Sequence, residues 1–462
     1  MQRVAILGGG ISGLSAAFEL ERARRAGAEI SYQLFEESDQ LGGVLRTERL
    51  DDFVIELGAE AWLSEKTAAR ELCRELGIED QLIGSNDAQR KTYILANQRL
   101  VALPEGIFFV VPASKAAAEW ELFSEVTRKK IAEERNFKPH HEEKDESVAG
   151  FLDRHFGAEA VRWLADPMLA GIYGGAAERL SARAVIPRMV EIERTQGSLI
   201  RAFGEPASGS RSTQPLFTTL RGGMQLLVEK LTASLDRQRV LLSQPVQAIT
   251  LSGGSWKLKT AAATSDFDSI VCALPAYGAA ELLHSSAPEL ARELAGIEYS
   301  SSAIVALAYR DRQPLAPGFG FLVPRNQERR LMACTFVHQK FAGRAPAGGM
   351  LLRVFFGGVR DPKVLELNDD GLASLAQQEL QSILGLTAEP AFTRVQRWPR
   401  SMPQYNVGHL ERVARSEKLA AALPGLKLIG SAYHGVGIPD CIQGAREAAR
   451  GLLAAHARST LA

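Results

Sequence analysis

Thiol chemistry has little to work with in this sequence. Its four cysteines, Cys73, Cys272, Cys334 and Cys441, are scattered with no CxxC spacing. That excludes a thiolate metal cage and a paired redox dithiol, and it fits a reducing compartment. Excess charge of either sign is also missing, with 54 basic side chains against 54 acidic ones. A phosphate backbone would find no basic footprint here, so nucleic acid is not expected as a partner. No apolar run reaches the ~18–20 residues that span a bilayer. Strand-like sequence begins at Arg3, which leaves no room for a signal or transit peptide, and we expect a cytoplasmic protein. The eight histidines show no HExxH spacing and no GxSxG elbow is present, which removes zinc hydrolysis and acyl transfer by a triad. His140 and His141 fall in the charge run RKKIAEERNFKPHHEEKDE (128–146). It reads as a solvated helix end and loop, so no metal is expected.

What is present begins at the N-terminus. RVAIL (3–7) is a short apolar run suited to a buried parallel strand, and an amphipathic helix follows it, ending at Gly27. Between them stand Gly8, Gly9, Gly10, Ile11, Ser12 and Gly13, a G-x-G-x-x-G turn. Its three spaced glycines serve a tight turn, close approach to a pyrophosphate, and close packing of helix on strand. The helix N-terminus then offers free N–H groups and partial positive charge to phosphates. Glu36 ends the second strand, where a ribose-binding carboxylate belongs, and Glu37 follows it with no arginine nearby. Two acids there disfavour a 2′-phosphate, which leaves NAD and FAD.

The rest of the 462-residue chain is long enough for more than one core. Helical spacing dominates from Asn86 to Arg211, and strands with mixed character occupy 288–390. The last seventy or so residues return to β-then-α order, ending in HGVGIPDCIQGAREAAR (434–450), a glycine turn followed by a helix expected to begin at Pro439. LPEGIFFVVP (103–112) is a short apolar stretch, suited either to dipping into a membrane interface or to packing as a buried loop.

Several stretches resemble known proteins. SDQLGGVLRT (38–47), carrying Gly43, Val44 and Arg46, is similar to the loop that wraps FAD in the flavin amine-oxidase superfamily. IELGAEAWL (55–63), carrying Gly58, Ala59, Glu60 and Ala61, resembles its strand-plus-glycine segment beside the flavin. Longer stretches narrow the likeness: DPMLAGIYGGAAERLSARAVIPRMVEIERTQGSLI (166–200), FTTLRGGMQLLVEKL (217–231), FTRVQRWPRSMPQYNVGHLERV (392–413) and LKLIGSAYHGVGIPDCIQGAREAA (426–449). These resemble the protoporphyrinogen/coproporphyrinogen oxidase family of haem synthesis, in order and along nearly the whole chain.

The resemblance implies an α/β (α+β overall) architecture. A discontinuous Rossmann-like FAD-binding domain would comprise 1–85, 211–287 and 391–462. A helical, membrane-facing insertion would occupy 86–210 and a mixed-sheet substrate domain 288–390. It implies FAD as cofactor, a porphyrinogen as substrate losing six electrons, dioxygen as acceptor, and peripheral membrane contact. Carried over by position, the FAD contacts would be the 8–13 turn, Glu36, Glu37, Gly43, Val44, Arg46 and Gly58 through Ala61. Val246 (on a strand after Pro245), Trp398, Gly430, Val436, Gly437 and Ile438 complete them. The terminal helix would aim its N-terminus at the flavin ring. Two departures stand out: Val44 replaces a residue that is often basic in the family, and GAEA (58–61) replaces Gly-Pro-x-Ser. Lys66 and His434 are substrate-side candidates; no catalytic base is identified. The look of 392–441 favours protoporphyrinogen IX, with coproporphyrinogen III as the alternative. Amine or polyene oxidoreductases and flavin-free lipid carriers on the same fold stay open as more distant alternatives.

Overall fold

The computed structural model describes residues 1–140, 144–204 and 214–461. His141 and the expected boundary at 211 therefore lie outside the described residues.

Five parallel strands form the first sheet, in the order Val240–Leu241, Ile30–Phe35, Gln2–Leu7, Ser269–Cys272 and Leu426–Leu428. The central strand is apolar because both its faces are covered, as parallel strands require. On one face the helix Ile11–Arg25 packs with the terminal helix Ile438–Leu461, burying Leu14, Phe18, Ile442 and Ala445 in one core. On the other face Leu7, Phe35 and Ile270 pack against a three-stranded antiparallel sheet (Ala248–Ser252, Ser255–Lys259, Thr264–Phe267) and the helices Ala276–Leu283 and Pro288–Ala295. Three stretches of chain, distant in sequence, thus supply one parallel layer.

The second sheet has seven strands, in the order Phe392–Pro403, Tyr299–Tyr309, Met350–Gly357, Leu331–Phe336, Gly320–Leu322, Thr92–Ala96 and Arg99–Ala102. This departs from the expected partition. Residues 92–102, assigned to the helical segment, and 392–403, assigned to the FAD segment, are both hydrogen-bonded members of this sheet. Backbone pairing across hundreds of residues overrides boundaries read from local composition. One face buries Leu352, Val354 and Phe356 with Leu372, Ala376 and Leu380 of the helix Asp369–Leu384. The opposite face packs Leu351 and Ala306 on Phe53 and Ile55 of the hairpin Thr47–Leu50/Phe53–Glu56.

Most described residues between Lys115 and Phe203 are helical, with Ser124, Ser147 and Ser198 each capping a helix by accepting a backbone N–H. LPEGIFFVVP forms a small antiparallel hairpin, with Phe108 partly exposed at 39% and stacked on Phe203. Among the described residues no helix is long and apolar enough to cross a membrane.

Candidate functional site

Open parallel sheets bind ligands in the crevice at the C-terminal ends of their strands, and the glycine turn stands there, directly after the strand Gln2–Leu7. Gly8 turns with φ +100°, and its N–H donates to the Phe35 carbonyl at 2.8 Å, joining the first two strands. A Cβ at Gly13 would fall 1.9 Å from the Gly8 carbonyl oxygen, so helix and strand approach too closely for any side chain there. Around Gly10 a Cβ would meet nothing within 4 Å, and this residue caps the helix Ile11–Arg25 without a side-chain acceptor. With no side-chain cap, the first-turn N–H groups of Ile11 and Ser12 lack an intrahelical partner. That combination fits a pyrophosphate.

Glu36 is the first residue beyond its strand. Its Oε2 accepts the Gly9 N–H at 2.6 Å and its Oε1 accepts the Ser38 N–H and hydroxyl at 2.9 and 2.7 Å. The carboxylate is therefore fixed beside the glycine turn, while Glu37 is exposed. Val246 precedes the strand that begins at Ala248, contrary to its expected place on a strand. The segment leading to it runs beside Glu36, with the Gln244 N–H donating to the Glu36 carbonyl at 2.9 Å.

A second glycine pair docks on the first. Gly42 donates to the Gly9 carbonyl at 2.9 Å, and a Cβ at Gly43 would lie 3.3 Å from the Gly10 Cα. Val44 follows, 41% exposed, and uses its backbone: its carbonyl accepts from Ala59 at 3.3 Å. A Cβ at Gly58 would fall 1.8 Å from that oxygen and 3.3 Å from Trp398 Cζ2. Trp398 donates its indole N–H to the Leu57 carbonyl at 2.7 Å, and the Arg46 guanidinium lies 5.7 Å from its ring centroid. Val44, Arg46, Gly58 and Trp398, far apart in sequence, thus form one wall.

Behind the Gly58–Ala61 loop lies a group of charges that sequence reading missed. Arg353, 2% exposed, donates to the Gly58 carbonyl at 2.6 Å and stands 3.3 Å from Glu60. Lys340 donates to Glu60 at 2.8 Å, and the fully buried Arg344 lies 3.5 Å from Glu56. Burial alone would raise the Glu60 pKa, but the charges of Lys340 and Arg353 bring it down to about 2. For Glu56 burial wins over Arg344, and its pKa is raised. One signal was available: Arg353 is the lone charge in the apolar strand MLLRVFFG.

The far end of the crevice is the turn 430–437. Its positive-φ glycines are Gly430 and Gly435; Gly437 is not among them. The terminal helix begins at Ile438, one residue before the expected Pro439. Tyr405, also unassigned from sequence, clamps the turn: its hydroxyl donates to the Ser431 carbonyl at 2.6 Å and accepts the Gly435 N–H at 2.9 Å. Val436 and Gly437 stay half-buried and Ile438 packs into the core. Asp440, in the helix's first turn, crowds Gly435 and Gly437, and Lys66 donates to its two oxygens at 2.8 and 2.7 Å. Lys66 thus reaches the crevice as the partner of Asp440. His434 is directed elsewhere. It is exposed and pairs with Glu417 at 2.6 Å, on the helix His409–Ala421, so its proposed proton role has no support in this geometry.

The Glu36 carboxylate beside the glycine turn and the uncapped helix N-terminus are the groups that the ribose and pyrophosphate of a dinucleotide require. Residues 11–453 match the family described as flavin-containing amine oxidoreductase. The chain is 33% identical to the coproporphyrinogen III oxidase of Bacillus subtilis (strain 168), over 96% of each chain. It is 30% identical to the protoporphyrinogen oxidase of Bos taurus, over 99% of each. Among solved structures, a provisionally named protoporphyrinogen oxidase from Exiguobacterium sp. 255-15 superposes with TM-score 0.87 at 30% identity, covering 98% of this chain and 99% of that one.

Proposed function

The chain belongs to the flavin-containing amine oxidoreductase family and is an FAD-dependent oxidoreductase of porphyrinogens, and on that premise we propose that it oxidises coproporphyrinogen III to coproporphyrin III. The observation that carries this reading is the full-length similarity to the Bacillus subtilis enzyme. Further relatives of the same name match across nearly their whole length. The reading replaces the expectation of protoporphyrinogen IX, which rested on 392–441 alone. A protoporphyrinogen oxidase is also a relative at 30% identity, so that stretch is common ground between the two activities.

The overall reaction removes six electrons and six protons from the macrocycle, and three dioxygen molecules take them up as hydrogen peroxide. FAD, when bound, supplies hydride acceptance from the substrate and reoxidation by dioxygen. The chain's own residues bind and orient. Glu36 takes the adenosine ribose, with Val246 beside it. The 8–13 turn and the N-terminus of Ile11–Arg25 take the pyrophosphate. Gly43, Val44, Arg46, Gly58 through Ala61 and Trp398 line the path to the flavin. Tyr405 fixes the 430–437 turn so that its backbone and the helix from Ile438 meet the flavin ring. Lys66, partly exposed and paired with Asp440 in the first turn of the terminal helix, would exchange that partner for a substrate propionate. The macrocycle is apolar, and the partly exposed Phe108–Phe203 pair suits entry from a lipid interface. If it contacts lipid, the Phe108→Ser variant floats with liposomes less than wild type.

Anaerobic mixing tests the reaction. Substoichiometric coproporphyrinogen III should bleach three oxidised flavins for each porphyrin formed. No bleaching by coproporphyrinogen III would overturn the proposal.

A further inference from the structure

We propose that Arg353, Lys340 and Arg344 form an electrostatic element of the redox site: fixed positive charge held behind the Gly58–Ala61 loop, which makes the cofactor a better hydride acceptor. They act as positioning and tuning residues, because the loop lies between them and the crevice. The proposal rests on the cofactor placement given above.

Among the described residues, three cations share this buried network with two carboxylates, Glu56 and Glu60. Glu60 is ionised, so at least one positive charge is in excess even if Glu56 is fully charged as well. The excess is not diffuse. Arg353 is on the face of its strand that also carries Leu351, opposite the face packed on Asp369–Leu384, and it ends on the Gly58 carbonyl. Its Nε, together with Nε and Nη1 of Arg344, has no hydrogen-bond acceptor among the described residues.

Stability alone does not explain this arrangement. Burying paired charges contributes little net stability, and leaving guanidinium N–H groups unsatisfied costs free energy. A cluster serving only to fasten the loop would balance its charges and complete its hydrogen bonds. Excess charge in a dry site does, however, serve a reaction in which negative charge develops nearby, because the field there is weakly screened. A hydride carries two electrons and one proton, so its acceptor gains one net negative charge, and a fixed cation across one loop favours that state. The cluster is too deeply buried to serve as a docking point for the substrate's carboxylates.

The test is the flavin midpoint potential of the holoenzyme, read by equilibration with a redox dye and no porphyrinogen present. A wrong substrate assignment therefore leaves the test intact. Arg353→Met and Lys340→Met should each lower the potential, Arg353→Lys should stay close to wild type, and Glu60→Gln should raise it. Opposite shifts on removing opposite charges are what a structural role alone would not produce. Potentials that coincide across the variants, with FAD bound, overturn the proposal. If Arg353→Met fails to retain FAD, the opposed pair Lys340→Met and Glu60→Gln decides by the same criterion.

Discussion

On the wall formed by residues 8–13 and 42–43, Glu36 is, among the described residues, the carboxylate hydrogen-bonded to the glycine turn, and the two turns join each other through backbone. Against the seven-stranded sheet, from which Arg353 projects, five ionisable side chains lie in one buried network behind the Gly58 loop. The first wall recognises through N–H groups and the absence of Cβ atoms, which suits a pyrophosphate that must be held closely and without proton exchange. The second wall supplies charge without contact, which suits a ring whose charge changes during the reaction. On the proposed reading, binding rests mainly on the first wall and tuning mainly on the charges behind the second, with Trp398 and Asp440 as the points where the two overlap.

Glu36→Arg should break this division most strongly. It replaces the carboxylate that fixes Gly9 and Ser38 with a cation where the adenosine ribose is proposed to bind. Hydrogen bonds to a charged group contribute about 1.5–3 kcal/mol, so FAD affinity should fall by about one to two orders of magnitude. Equilibrium titration of apoprotein with FAD measures this, and the potential of the residual holoenzyme should stay near wild type.

Tyr405→Phe acts where the two walls meet. It removes the acceptor of the Gly435 N–H and the donor to Ser431. A buried donor left unpaired costs about 1–3 kcal/mol. Urea denaturation should show that loss, accompanied by weaker FAD retention. Unchanged stability would mean that water replaces the hydroxyl.

Asp440→Asn sharpens the comparison from the helix side. It leaves Lys66 without its partner and removes the carboxylate beside Gly435 and Gly437, so the flavin potential should rise. Loss of an acid from the first turn of the terminal helix should cost about 0.3–1 kcal/mol.

The smallest expected effect lies outside the crevice. His155 is fully buried, with Nδ1 2.9 Å from Glu134 and Nε2 3.1 Å from Glu193, so both ring nitrogens meet carboxylates. Arg154 also pairs with Glu193, and Phe137 stacks on the imidazole. Burial would lower the His155 pKa, but the two carboxylates raise it overall. A raised pKa stabilises the fold fully below the unfolded value of about 6.5. That contribution is lost as pH rises through the folded value. Thermal melts across this window should show wild-type Tm falling with pH, and His155→Gln should flatten the slope while lowering Tm at the acid end.

The glycine wall was legible because its constraints are local: strand, turn and helix lie within 25 residues, and Glu36 follows from the length of one βαβ step. The parallel layer could also be assembled in outline from its apolar strands. The second wall was not legible, because its pairings join residues far apart. Arg353 and Gly58 are separated by 295 positions, and Lys66 and Asp440 by 374. Local pattern carries no record of such partners. Placing Thr92–Ala102 among the helices failed for the same reason, since its neighbour in the sheet is Gly320–Leu322. Lys66, a substrate-side candidate, pairs with Asp440 of the terminal helix, a partner that was not foreseen. His434, adjacent in sequence to the turn, is directed to the surface. Proximity along the chain was a poor guide to direction.

Steady-state kcat/KM for coproporphyrinogen III and protoporphyrinogen IX, measured on one preparation by the appearance of porphyrin fluorescence, tests the central assignment most directly. We expect coproporphyrinogen III to be preferred by at least about tenfold, equivalent to about 1.4 kcal/mol of transition-state stabilisation. Equal values, or a preference for protoporphyrinogen IX, would contradict it.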